Sequence, residues 1–417
     1  MTPRRRRDPA PQGPSESPRV GASLEDVRAA NLSLVLRHIL VQPGTISRAA
    51  IATQAGITRA TVSRLADELV SAGLVHELAP SSETGRGRPG IPLGPRPGMA
   101  IGLGLEINIS YISACAIDLT GEVLSLKTIH GDFAGTKPDA VMADVAELGG
   151  RVLAAAQAKS PVDNPLFVGS GLALPGLVSS DALMLAPNLG WRDLPMASLL
   201  GPLTPLDPVV VANEADLAAF AVANPRPGVP NGPASFIYVS GEVGIGAGII
   251  INHNPLSGAH GWSGEIGHIC VDPAGPTCSC GASGCLEAYL GLRALASNAG
   301  MPEGSTADEI VEAAHRGSLR AQAAIADGGA ALGRALAAVV NTVDIPEIIL
   351  GGIVASIGDD LLPAVRDELR ARVLQSAWSN PEVRIAGNPA NLAVIGAAHR
   401  TLERLVVDPI IWTARPD

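Results

Sequence analysis

Between Gly261 and Tyr289 the chain reads GWSGEIGHICVDPAGPTCSCGASGCLEAY. Four of its five cysteines and one of its eight histidines fall within this stretch. His268, Cys278, Cys280 and Cys285 offer one imidazole and three thiols at separations of ten, two and five residues, with Gly275, Gly281 and Gly284 available for tight turns. Four N and S donors are what a tetrahedral ion of the zinc kind takes, and a site closed by four protein ligands is structural. Disulfide pairing of the three close cysteines would leave one odd. One structural zinc per chain is therefore expected on His268, Cys278, Cys280 and Cys285. Cys270, two residues beyond His268, would share its face in an extended strand and could compete as a ligand. It reads better as a small buried hydrophobe, as does Cys115 in its apolar strand.

The whole chain of 417 residues is 47% hydrophobic, broken by 47 Gly and 34 Pro, and no apolar run reaches the roughly 18 residues of a membrane span. The opening MTPRRRRDPAPQGPSESP has Pro, Ser and polar residues where a signal peptide needs an apolar segment, so a cytoplasmic location is expected. Disulfides would be out of place there, which again favours a metal. The net charge of −10 hides an asymmetry: residues 1–98 carry 13 Arg and no Lys against 8 Asp+Glu, leaving 17 Lys+Arg against 32 Asp+Glu for residues 99–417. A basic front on an acidic body suggests that only the front meets a polyanion.

Residues 1–22 are rich in Pro, Arg and Ser without periodicity and are expected to be a disordered basic arm. From Leu24, Val27, Leu32, Val35, Leu36 and Ile39 recur at helical spacing until Pro43-Gly44 stops the pattern. The next stretch predicts a helix from about Ser47 to Ala55, a turn at Gly56-Ile57, and a second helix capped by Thr58 with Val62, Leu65 and Leu69 on one face. That is the helix-turn-helix arrangement. Its second helix would present Thr58, Arg59, Thr61, Ser63 and Arg64 to operator DNA. Beyond it, APSSETGRGRPGIPL sets Arg86 and Arg88 among Gly and Pro between apolar runs, as the wing of a winged helix-turn-helix would. This domain is expected over residues 23–95.

From Ala100 the grammar changes to strands, hairpins and crossover helices, with strands joined at Thr120-Gly121. After the linker near 224–233 the scheme repeats: paired strands from Ala234, a long helix before Val343, and PEIILGG as a strand ending in glycines. Two similar α/β halves with a cleft between them are implied, and ligands bind in such clefts at strand ends.

GWSGEIGHI followed by CSCGASGCLEAY resembles the signature of the ROK family, which groups sugar-responsive repressors with sugar kinases. The resemblance continues through ALPGLV, APNLGWRDLP, VANEADLAA, GEVGIGAGIIIN and PEIILGGIV, and the winged helix-turn-helix in front marks the repressor branch. It implies an α/β fold: a two-lobed, actin-like (ribonuclease-H-like) sugar-kinase-type domain over residues 99–407. It also implies sugar contacts at Asn213, Glu214, Glu265, His268 and Glu287, whose polar groups suit a ring of hydroxyls. His268 would then bind zinc through one ring nitrogen and face the cleft with the other, the metal holding the loop rigid. Three departures from the kinase pattern stand out. Glu214 replaces the Asp that serves as base, and its extra methylene matters where a misplacement of about 1 Å can cost ~100-fold. Glu106-Ile107-Asn108-Ile109-Ser110 replaces a glycine-bearing phosphate loop. Gly241-Glu242-Val243 replaces the second loop and puts a carboxylate where a phosphate would lie. The chain is accordingly expected to be a transcriptional repressor of carbohydrate genes without enzymatic activity, acting as a homo-oligomer (dimer or tetramer) on operator DNA, with a sugar as effector and no membrane partner. The alternative is an ATP-dependent sugar kinase that retains a DNA-binding domain.

Overall fold

The computed structural model describes residues 24–79, 90–241, 243–387 and 391–413. The expectations for the arm 1–22, for Arg86 and Arg88, and for Glu242 lie outside the described residues.

Helix α1 (Leu24–Val41) buries Leu32, Val35, Leu36 and Ile39. Val27, expected on the same face, is 47% exposed, and its neighbours Glu25 and Asp26 are exposed too, because this first turn lies ahead of the residues of α1 that reach the core. Helix α2 (Arg48–Ala55) starts at Ser47, whose hydroxyl accepts the Ala50 N–H, and stops at Gly56, which has a left-handed φ of 67° that a side chain would resist. Helix α3 (Arg59–Ser71) starts at Thr58, whose Oγ1 accepts the Thr61 N–H at 3.2 Å. Val62, Leu65, Ala66 and Leu69 form its buried face. β1 (Val75–Glu77) pairs antiparallel with β2 (Leu93–Pro95), which makes the base of the expected hairpin.

In the first lobe β3 (Ala100–Ile107), β4 (Tyr111–Asp118) and β5 (Val123–His130) form an antiparallel meander, backed by α4 (Pro138–Lys159). β6 (Leu166–Leu174) then joins β3 in parallel. β7 (Leu177–Val178), β8 (Ala182–Ala186) and β9 (Trp191–Pro195) make a small side sheet, and α5 (Met196–Leu199) leads to β10 (Val209–Asn213), parallel to β6. Helix α6 (Glu214–Ala223) follows directly. The second lobe begins with the meander β11 (Phe236–Gly241), β12 (Ile245–Ile251) and β13 (Asn254–Pro255). Four helices come next, α7 (Glu287–Leu290), α8 (Leu292–Ala299), α9 (Ala307–His315) and α10 (Leu319–Val343). β14 (Glu347–Leu350), α11 (Gly352–Ser356), α12 (Gly358–Arg372) and β15 (Glu382–Ile385) complete the lobe, with β14 parallel to β11 and β15 parallel to β14. α13 (Leu392–Val407) and α14 (Ile410–Thr413) close the chain.

The two five-stranded sheets run β5-β4-β3-β6-β10 and β13-β12-β11-β14-β15, the same order of meander and parallel pair in each. α6 and α13 pack on each other between them, α13 against β3 and β6, α6 against β11 and β12. The approach is backbone to backbone: a Cβ at Gly104 of β3 would stand 1.8 Å from the Val394 carbonyl oxygen of α13, and one at Gly248 of β12 would stand 2.4 Å from that of Ala215 in α6. α10 is long and apolar enough to cross a membrane by length and composition, but it forms the middle of the second lobe's core, packed on α12 with Leu332, Leu336 and Val340 buried.

The helix-turn-helix elements pack on the body and are not held to it by the chain alone. Leu32 and Leu36 of α1 and Leu65 of α3 share one buried cluster with Cys115 and Ile117 of β4 and with Leu402, Leu405 and Val406 of α13. Ser33 donates its hydroxyl to the Val406 carbonyl at 2.6 Å, Arg37 pairs with Glu403 at 2.6 Å, and Thr413 of α14 donates to Glu68 of α3 at 3.1 Å. Burial of apolar area on this scale is the main force that seats one domain on another.

Candidate ligand cleft, metal cluster and DNA-binding face

β10 ends at Asn213, which caps α6: its Oδ1 accepts the Ala215 N–H at 2.7 Å and its Nδ2 donates to the Gly176 carbonyl at 2.9 Å. Capping fixes this side chain at the edge of the first lobe. Glu214 is the first residue of α6. Glu265 and His268 lie on the loop that follows β13, where a 3-10 turn spans Ile266–His268. Glu287 opens α7, with its Oε2 accepting the Ile245 N–H at 3.3 Å and its Oε1 accepting the Ser279 hydroxyl at 3.1 Å. All five residues line one cleft of about 90 Å³, two from the first lobe and three from the second. Asn108 of the Glu106–Ser110 stretch lines it as well, as do Gly176, Asn188 and Ser240, to which the sequence reading assigns no role. Gly176 and Asn188 lie inside the quoted ALPGLV and APNLGW stretches, so the motifs held that signal.

Burial raises the pKa of the Glu265 carboxyl above the usual range; nearby His268 works against this and the charge of Glu287 adds to it. Asp216, in the first turn of α6, is pushed up to about 7, first by burial and then by the charge of Glu265.

One ring nitrogen of His268 and the Sγ atoms of Cys278, Cys280 and Cys285 all lie within 4.8 Å of one another. His268 Nδ1 is 3.8 Å from Cys278 Sγ, and Cys280 Sγ is 3.8 Å from Cys285 Sγ. A tetrahedron with zinc–sulfur bonds of 2.3 Å has edges of about 3.8 Å, so the donors fit such an ion. This cluster could hold a metal ion. Because Nδ1 faces the thiols and the ring lines the cleft, Nε2 is the nitrogen left for a ligand. Cys280 is lowered in pKa, chiefly by the Ala282 backbone hydrogen bond, whereas burial raises Cys285 to about 12. Cys270 corrects one expectation: it is exposed, neither buried nor part of the cluster. The 3-10 turn at Ile266–His268 breaks the extended geometry on which a shared face depends. Cys115 is buried, and burial raises its thiol to about 12.

On the other domain, Thr58, Arg59 and Arg64 are exposed at the start of α3, and Thr61 and Ser63 are half-buried. The Thr58 and Thr61 hydroxyls lie 2.9 Å apart, so they stiffen the end of the helix that faces outward.

Residues 102–403 match the ROK family, and residues 33–87 match the MarR family. The chain belongs to the ROK family. The xylose repressor of Bacillus spizizenii is 27% identical over 382 residues, covering 91% of this chain and 97% of that protein. A glucokinase of Halalkalibacterium halodurans is 33% identical over 249 residues, covering 55% of this chain and 74% of its own. Among solved structures, a ROK family transcriptional regulator described as a homolog of the E. coli MLC protein superposes with a TM-score of 0.73 at 25% identity, covering 91% of this chain and 99% of the other. The fold is thus an N-terminal helix-turn-helix followed by the two-lobed, actin-like ROK domain.

Residues 106–110, which the resemblance sets against the first phosphate loop of the kinases, lie at a tight hairpin turn between β3 and β4. The Asn108 N–H donates to the Tyr111 carbonyl at 2.9 Å, and the Asn108 Oδ1 accepts from the Ser110 N–H at 3.3 Å. Glu106 is 4% exposed and accepts the Tyr111 hydroxyl at 2.7 Å. Glu106, Tyr111, Glu214 and Tyr238 converge on this side of the interlobe gap and leave about 40 Å³ between them.

Proposed function

We propose that this ROK protein is a sugar-responsive, DNA-binding transcriptional regulator, a repressor of genes for carbohydrate metabolism or transport. One observation carries the reading: a helix-turn-helix is seated in the same hydrophobic core as the lobe that delivers Asn213 to a cleft of polar side chains. Likeness to a xylose repressor along 91% of the chain supports it. In this reading the DNA-binding domain spans residues 23–95 and the sugar-binding domain 99–407, with the lobes joined near 224–233. Thr58, Arg59, Thr61, Ser63 and Arg64 face operator DNA, with Arg86 and Arg88 of the wing on phosphates or in the minor groove. Asn213, Glu214, Glu265, His268 and Glu287 hold the sugar. Zinc on His268, Cys278, Cys280 and Cys285 fixes the ring of His268 and, through Ser279, the carboxylate of Glu287. The protein works in the cytoplasm as a dimer or tetramer, whose symmetry would match a palindromic operator.

A volume of about 90 Å³ is well below the ~300 Å³ at which small-ligand sites begin, so a hexose enters only when the lobes part. Opening and reclosing on a sugar is then the two-state element by which the ligand acts on DNA affinity. The kinase reading draws on the 33% identical glucokinase. Against it stand Glu214 at the base position and a buried Glu106 where a nucleotide's phosphates would need glycine backbone. A thermal-shift screen over sugars and sugar phosphates, followed by operator titration with and without each hit, tests the proposal. Turnover of ATP with any sugar in the usual enzyme range would overturn it in favour of the kinase.

A further inference from the structure

A second cavity, of about 530 Å³, lies beside the sugar cleft. The same parts of the chain wall both. Asn213 lines both spaces; Gly176 faces the cleft while Val178 to Asp181 face the cavity; Glu265 faces the cleft while Ala259 to Trp262 face the cavity. The two spaces thus adjoin at Asn213. The cavity's size falls within the range of small-molecule sites, roughly 300–1,000 Å³.

Two buried polar atoms at this cavity have no hydrogen-bond partner, Asp216 Oδ1 and Trp262 Nε1. Both atoms are sealed beneath the wall, so what the cavity offers a ligand is the rest of these two side chains, a carboxyl group that can accept from a sugar hydroxyl and an indole ring. The Trp262 ring lies 4.9 Å from that of His260 at an interplanar angle of 34°, so the imidazole covers part of one indole face at the cavity wall. A free aromatic face takes the C–H face of a pyranose.

We propose that this cavity is a subsite for a second glycosyl unit, so that the effector is a disaccharide or other glycoside whose first ring occupies the cleft and whose second ring stacks on Trp262 beside Asp216. The inference rests on the reading of the cleft as a sugar site. Burial and the charge of Glu265 raise the Asp216 carboxyl to about 7, and Asp181 and Arg400 line the cavity as well.

The test uses the full-length zinc-loaded protein and matched probes: xylose with xylobiose, glucose with maltose and cellobiose, galactose with lactose. Affinities are measured by calorimetry for wild type, Trp262→Ala and Asp216→Asn. The expected result is one disaccharide that binds wild type about tenfold or more tightly than its monosaccharide, a preference worth about 1.4 kcal/mol. Trp262→Ala should abolish that preference and leave the monosaccharide affinity in place. If Trp262→Ala does not fold, Asp216→Asn carries the test, with a reduced preference expected. Equal affinity of wild type for a monosaccharide and all its disaccharides would overturn the subsite and leave the sugar cleft standing. Loss of monosaccharide and disaccharide binding alike in a folded variant would overturn it too, because the residue then serves the cleft or the fold. Wild type that binds none of the probes overturns the subsite and the sugar-sensor reading together.

Discussion

Replacing Gly104 by alanine tests whether the first sheet and α13, which connects the cleft-lining elements to the DNA-binding domain, behave as one rigid unit. The new Cβ would stand 1.8 Å from the Val394 carbonyl oxygen and 2.9 Å from Val394 C and Ala398 N. Cβ atoms essentially never come closer than 3.0 Å to a neighbour, so strand and helix must separate by roughly 1.2 Å, the difference between the two distances. The obstacle is helix backbone, and no rotamer change relieves it. Overpacking typically costs ~1–3 kcal/mol, and a clash with backbone on this scale belongs at the top of that range or above it. Gly150→Ala is the matched control: its Cβ would meet nothing within 4 Å on α4, and helix propensity alone should stabilise by ~0.5–1 kcal/mol. Urea unfolding of wild type and the two variants reads the stability difference. Operator titrations with and without sugar read the second effect: α13 carries Glu403 and Val406 onto α1, so Gly104→Ala should alter the sugar-dependent change in operator affinity while Gly150→Ala leaves it intact. A Gly104→Ala protein that unfolds within ~0.5 kcal/mol of wild type would refute the packing argument.

Cys280→Ser should lose the metal and destabilise the second lobe; elemental analysis that finds no zinc in wild-type protein purified without chelator would remove the metal claim itself. Arg59→Ala and Arg64→Ala should each weaken operator binding, by ~1–3 kcal/mol and with relaxed sequence preference where the arginine reads a base, which competition titrations against altered operators measure. Glu265→Ala should abolish the sugar-driven change in operator affinity, a coupling of typically ~1–3 kcal/mol, while zinc content and sugar-free affinity stay near wild type; a variant that keeps both zinc and full response means the pocket is elsewhere. His399 is held neutral, its pKa lowered from 6.5 to about 4 by burial despite the Asn224 carbonyl 3.0 Å from Nδ1. The unfolded chain takes up a proton as pH falls below 6.5 and the folded one does not until about 4, so this group removes up to ~3 kcal/mol of stability across that window. Melting curves of His399→Gln should show a flatter dependence between those pH values, and an unchanged slope would count against the burial account.

Local chemistry made much of this protein legible from sequence. Ser47, Gly56 and Thr58 punctuate the helix-turn-helix because caps and left-handed turns depend on the residue itself and its immediate neighbours. The donors His268, Cys278, Cys280 and Cys285 could be read from spacing and type, because few folds of so short a segment can do other than bring them together. The repeated lobes followed from strand patterning, as the matched order of the two sheets bears out. Where sequence reasoning failed, it assumed a local geometry that the tertiary structure replaced. Cys270 is read with the periodicity of a strand, and a 3-10 turn at His268 breaks it; Val27 is read on the apolar face of α1, and it is 47% exposed. Other features had no local signal. Burial of Leu32, Leu36 and Leu65 together with Leu402 and Val406 joins residues more than 300 positions apart, and only their meeting in space seats the DNA-binding elements on the sugar-binding body. The gap of about 40 Å³ among Glu106, Tyr111, Glu214 and Tyr238, and the orphaned Asp216 and Trp262 atoms beside the cleft, are likewise products of how distant strands and helices close on one another. The sequence determined which chemical groups the chain carries and where its helices start and stop, since these are properties of neighbouring residues. The tertiary structure decided which of those groups share a cavity, because burial is a property of the whole fold.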